Sequence, residues 1–129
     1  MDFDEQLALL RQYIERDTAV VEVQPLNSGA RVLRIRNYKL PTGWNQSLVT
    51  VQFYVPPGYP SANPDCFWVE PNLRLSNGEL PQASNESNPM PEVGPCGTWF
   101  SWHIQGWSPN QSTLVTFANG IRARLDPAR

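Results

Sequence analysis

Phe3, Leu7, Leu10 and Ile14 recur at the spacing that lines one face of an α-helix, with Glu5, Gln6, Arg11, Gln12 and Glu15 around the rest. Asp2 stands where an N-cap belongs and Arg16-Asp17 closes the segment, so the pattern predicts an amphipathic helix over 3–16 packed on a sheet. The period then changes from helical to alternating. In Ala19 to Pro25, Val21 and Val23 alternate with Glu22 and Gln24; in Arg31 to Leu40, Val32 or Leu33 and Ile35 alternate with Arg34 and Arg36. Asn27-Ser28-Gly29 between them offers a turn where a left-handed residue is available. After Pro41-Thr42-Gly43, Leu48, Thr50 and Gln52 take one face of a third strand and Val49, Val51, Phe53 and Val55 the other. Short strands with turn-length links predict an antiparallel meander, to which Asp65 to Val69 adds a fourth member.

Between the third and fourth strands lies Pro56-Pro57-Gly58-Tyr59-Pro60, followed by Pro64. Proline cannot donate to a sheet ladder, so this cluster describes a rigid corner. From Asn72 to Gly97 the periodic signals stop, over a length that marks a functional loop rather than an ordinary connection. Trp99, Phe100, Trp102 and Trp107 restore an aromatic segment that covers the sheet or the end of the last helix. Leu114, Phe117, Ala118, Ile121 and Leu125 then share one helical face over 111–125, with Pro109 and Ser112 at its start and Asp126-Pro127 at its end. Gly120 inside that helix costs about 1 kcal/mol against Ala, which points to close packing there. Helix 3–16, meander 19–69, long loop 72–109 and helix 111–125 make one α+β domain over 1–129, with the helices covering the sheet.

Composition narrows the function. Ten basic and twelve acidic side chains leave a net charge of −2 and no basic stripe, which argues against a dedicated nucleic-acid or membrane-surface protein. No apolar run approaches the ~20 residues that span a bilayer, and the N-terminus lacks a signal-peptide pattern, so a reducing cytoplasm is the expectation. There Cys66 and Cys96 form no disulfide framework, and the Asn-x-Ser triplets at Asn45, Asn85 and Asn110 carry no meaning. One histidine and two separated cysteines make no structural zinc site, and Gly58, Gly78 and Gly94 are isolated turn residues rather than a phosphate loop. No metal or cofactor is expected, and any ATP-dependent step belongs to another protein.

The residues that punctuate the chain resemble those of the ubiquitin-conjugating enzymes. A meander ending in Tyr59-Pro60, then Pro64, an aromatic strand and Pro71-Asn72 is similar to their Tyr-Pro corner leading to a His-Pro-Asn triplet; Trp107-Ser108-Pro109 before a helix is similar to their Trp-Ser-Pro segment. A closer resemblance is to the bacterial branch, prokaryotic ubiquitin-conjugating-enzyme-like family E. It rests on Leu40-Pro41-Thr42-Gly43, Pro57-Gly58-Tyr59-Pro60, Pro64-Asp65-Cys66-Phe67, Leu75 to Pro81 with Gly78, and Phe100-Ser101-Trp102-His103. The resemblance implies a UBC-like fold and a transferase-type component of a bacterial ubiquitin-like conjugation pathway. Its partners would be a ubiquitin-like protein and its activating enzyme.

The catalytic position departs from the parent family. Glu70 replaces the His of the triplet, and counting eight on from Asn72 or eight back from Trp107 reaches Leu80 or Trp99, not cysteine. Asn72 and Trp107 stand 35 positions apart, about twice the family's spacing, so residues have been inserted around the catalytic position. Cys96, in Gly94-Pro95-Cys96-Gly97, is one candidate nucleophile, because a thiolate suits transfer through a thioester. Ser101 is another, with His103 as its base, although residues at i and i+2 meet only across a turn. Cys66 reads as a core residue, and Asn72 as a cap of the turn after the fourth strand. Two further readings stand beside the transferase: a catalytically inactive scaffold that binds a ubiquitin-like protein or partner enzyme, and a small Ser101-His103 hydrolase, for which the chain offers no nucleophile elbow.

Overall fold

The structure, a computed structural model, describes residues 1–16 and 18–129. In chain order its elements are α1 (Phe3–Ile14), β1 (Val20–Pro25), β2 (Arg31–Lys39), β3 (Leu48–Val55), β4 (Phe67–Val69), β5 (Ser84–Asn85), β6 (Thr98–Phe100) and α2 (Leu114–Leu125). Asp2 caps α1, its carboxylate accepting the Glu5 N–H at 2.8 Å. The helix stops at Ile14 with Glu15 as C-cap, short of the expected Arg16-Asp17, of which Asp17 lies outside the described residues.

The sheet has six strands in the order β1-β2-β3-β4-β6-β5, every neighbouring pair antiparallel. The expected meander forms its first four. The remaining two come from the long segment after Asn72, which carried no strand signal. With two residues in β5 and three in β6, they are too short for alternation to register. β4 begins at Phe67 rather than Asp65 because Cys66 takes a left-handed φ of 62° that breaks the ladder.

Pairing register sorts the side chains onto two faces. Leu33, Ile35, Val51, Phe53, Phe67, Val69 and Phe100 face the helices, where Phe53 meets Phe117 at 4.8 Å and Phe67 stacks on Phe100 at 5.0 Å. On the opposite face Val32, Trp68 and Met90 form a second, smaller cluster with Leu26, Tyr54, Cys96 and Trp99. Both Val32 and Leu33 are therefore buried, one under each cover. Among the described residues no helix lies over that second face; the segment carrying Met90 and Cys96 covers it.

The α2 face is as the spacing predicts, with Leu114, Phe117, Ala118, Ile121 and Leu125 all buried. Thr113 is its N-cap, just past the Pro109–Ser112 signal, and the Thr113 N–H donates to Thr116 Oγ1 at 2.9 Å. A Cβ on Gly120 would stand 2.0 Å from Ile104 Cδ1, which is the close packing its presence implied. Gln6 departs from expectation. The spacing put it off the apolar face of α1, yet it is only 3% exposed. Its Oε1 accepts from the Tyr59 hydroxyl and, at 3.1 Å, from the Leu114 N–H, a helix-start donor without an intrahelical partner. One amide thus joins α1, the proline corner and α2. Trp107 reinforces the corner by donating to the Pro60 carbonyl at 2.9 Å, its ring 5.8 Å from that of Tyr59.

Candidate functional site

β4 and β6 run antiparallel, with Val69 opposite Thr98 and Phe67 opposite Phe100. Glu70 to Asn72 therefore lie at one end of this pair, and Cys66 and Ser101 at the other. At the first end Glu70, which stands in place of the family's His, accepts the Thr50 N–H at 2.7 Å and so serves the sheet. Asn72 takes a left-handed φ of 65°. Its N–H donates to Glu86 Oε1 at 3.0 Å and its carbonyl accepts from Asn45 Nδ2 at 3.4 Å, an arrangement that shapes the turn. Glu86 also accepts from Thr98 Oγ1 at 2.6 Å and Arg74 Nη1 at 3.2 Å. Burial pushes its carboxyl upward, but those hydrogen bonds outweigh it and hold the pKa below the usual carboxylate value.

From Asn72 the chain passes through Leu80, 62% exposed, and crosses the C-terminal end of α2. Arg124, buried on α2 with its guanidinium 4.7 Å from the Phe100 ring, donates from Nη2 to the Gln82 carbonyl at 2.6 Å and the Arg129 carbonyl at 3.0 Å. Ser101 then donates its N–H to the Ala83 carbonyl at 2.8 Å, extending the β5–β6 pairing by one residue. The spacing rule pointed to Leu80 and Trp99, and this bond holds Ser101 beside the stretch that follows Leu80.

Cys96 is elsewhere. It precedes β6 whereas Ser101 follows it, so about 16 Å of near-extended chain separates them at ~3.3 Å per residue. The thiol packs half-buried in the cluster with Val32, Trp68 and Met90, on the face away from the helices. Burial pushes its pKa above the ordinary value of 9.0, with the Arg34 charge and a Met90 backbone bond opposing. A raised pKa lowers the thiolate fraction on which thiol nucleophilicity depends.

His103 does not turn back toward Ser101. Its Nδ1 lies 2.5 Å from Asp65 Oδ1, both side chains being 57% exposed. Among the described residues no hydrogen bond joins Ser101 Oγ to the imidazole, so the hydrolase reading lacks its nucleophile–base contact. The Cys66 N–H donates to the Trp102 carbonyl at 3.0 Å, which ties the Asp65-Cys66 turn to the segment carrying His103. The Cys66 thiol, the Asp65 carboxylate and the His103 ring consequently offer atoms all within 4.8 Å of one another. Burial first, and then the Asp65 charge, raise the Cys66 pKa above 9.0. Sequence reading placed Cys66 in the core and missed this grouping. The visible signal was a cysteine beside an acid where the proline corner ends; the short strand that brings His103 across to it was not visible.

A sheet that begins as an antiparallel meander, with a helix from each end of the chain on one face and a Tyr-Pro corner tied to both, is the α+β domain of the ubiquitin-conjugating class. Within that class the chain belongs to prokaryotic E2 family E, whose profile matches residues 9–128. No curated protein and no solved structure matches it. Membership supports a role of the ubiquitin-conjugation kind and, in general terms, a ubiquitin-like protein and an activating enzyme as partners. Among the described residues no helix is long and apolar enough to cross a membrane.

Proposed function

We propose that this chain is the conjugating-enzyme-like component of a bacterial ubiquitin-like pathway. It takes the C-terminus of a ubiquitin-like protein from an activating enzyme and holds it for transfer to a target. The observation that supports this reading is the backbone bond from the Ser101 N–H to the Ala83 carbonyl, which ties residue 101 to the stretch that follows Leu80. Ser101 Oγ attacks the thioester carbonyl of the loaded activating enzyme; an oxyester forms, the thiolate leaves, and the hydroxyl proton passes to it. Cys96, on the opposite face, takes no part.

A second reading has its own support. No base touches Ser101 among the described residues, and burial raises the pKa of both thiols, which suits a scaffold that binds without bonding. Incubation with the cognate activating enzyme, ATP and the ubiquitin-like protein separates the two. The transfer reading requires an adduct that survives thiol reductant, is cleaved by hydroxylamine, persists in Cys96→Ala and is lost in Ser101→Ala. Tight association without any adduct establishes the scaffold, and neither adduct nor association overturns both.

A further inference from the structure

We propose that Asp65, Cys66 and His103 form a binding site for a divalent transition-metal ion, with zinc as the best match. The three groups already converge, their donor atoms lying within 4.8 Å of one another. Neighbouring side chains usually point apart along an extended chain, and the left-handed φ of 62° at Cys66 lets those of residues 65 and 66 turn to the same side. The Cys66 N–H bond to the Trp102 carbonyl then fixes this turn against the residue preceding His103. The framework of the site is therefore set by backbone, before any ion arrives.

The donor set matches the ion in charge and softness. Thiolate, carboxylate and neutral imidazole sum to two negative charges, which a divalent cation cancels; sulfur and imidazole select zinc over magnesium or calcium. Metal–ligand bonds of about 2.0–2.3 Å put tetrahedral ligands about 3.3–3.6 Å apart. His103 Nδ1 and Asp65 Oδ1, now 2.5 Å apart, must open slightly around the ion, and both are exposed enough to do so. Three protein ligands leave a fourth position for water. As the ion binds, the Cys66 thiol releases its proton and a metal–sulfur bond forms, so affinity rises with pH. The site clamps the end of the proline corner to the segment that carries Ser101.

This inference is independent of the proposed transfer chemistry and is tested on the isolated, reduced chain. Titration with Co²⁺ should give a thiolate-to-metal absorption band and tetrahedral d–d bands that saturate at one ion per chain and are displaced by Zn²⁺. Cys66→Ser and His103→Ala should abolish the bands, while Cys96→Ser keeps them. Zn²⁺ should also raise the melting temperature of the wild type and of Cys96→Ser only. Circular dichroism of the metal-free variants confirms that they fold. Absence of the bands, their persistence in Cys66→Ser, or their loss in Cys96→Ser overturns the site.

Discussion

Gly97 passes so close to Val69 that a Cβ on it would lie 1.9 Å from the Val69 carbonyl oxygen. Its φ of 137° is also one that side chains rarely adopt. The obstacle is backbone of β4, which cannot rotate away. Gly97→Ala must therefore push β6 off β4, at an expected cost of about 3 kcal/mol or more. Urea unfolding measures this, and an unchanged midpoint would show that β6 does not depend on the contact.

Gln6 gives a prediction with a built-in control. Gln6→Leu keeps the bulk but leaves the Tyr59 hydroxyl and the Leu114 N–H without their acceptor, an expected loss of about 2–4 kcal/mol. Tyr59→Phe removes one donor while the Gln6–Leu114 bond stays, an expected loss of about 1 kcal/mol. In a double-mutant cycle the two should be strongly non-additive.

Two tyrosines set the alkaline limit. Burial raises Tyr59 from the ordinary 10.0 to about 12. Tyr38 also reaches about 12, through burial first, against the opposing charge of Arg122. A group whose folded pKa is raised stabilises fully below its unfolded pKa, and that stability is lost as pH rises through the folded value. Unfolding free energy should fall between pH 10 and about 12, and Tyr38→Phe should flatten part of that fall.

Glu86 should govern the acid side. Its carboxyl is held below the ordinary 4.5 by Thr98, the Asn72 N–H and Arg74, so its contribution is present above 4.5 and disappears as pH falls through the depressed value. At neutral pH Glu86→Gln should cost about 1–2 kcal/mol. In chemical denaturation the difference from wild type should shrink on acidification; a constant difference would assign the loss to packing alone.

Both thiols should resist alkylation. With each pKa raised above 9.0, iodoacetamide should modify the native chain slowly at neutral pH, Cys96 before the more buried Cys66. Rates should climb as pH passes 9.0, and urea should bring both to the rate of a free thiol. Rapid native modification of Cys96 would mark it as an activated nucleophile after all.

What the sequence disclosed depended on length. The runs that build α1, β1–β3 and α2 carry several turns or alternations each, enough for Leu7, Val51 or Ile121 to announce their face. β5 and β6 carry two and three residues, and their existence follows from long-range pairing with β4 that no local pattern encodes. That gap propagated to the site. Without β6 there was no way to see that His103 answers to Asp65, that Cys66 lies beside them, or that Cys96 and Ser101 flank the same strand from opposite ends. Gln6 escaped for another reason: a polar residue next to an apolar helical face reads as solvent-exposed unless its buried partners are known.

The Gln6–Leu114 bond also sets a timetable. Its partners are 108 residues apart in sequence, and closing so long a loop brings its reward only after most of the chain is ordered. As the chain leaves the ribosome, the first helix emerges with an amide destined for burial and no helix start yet to receive it. The Gln6 amide therefore has its full set of partners only once the proline corner and α2 are both in place.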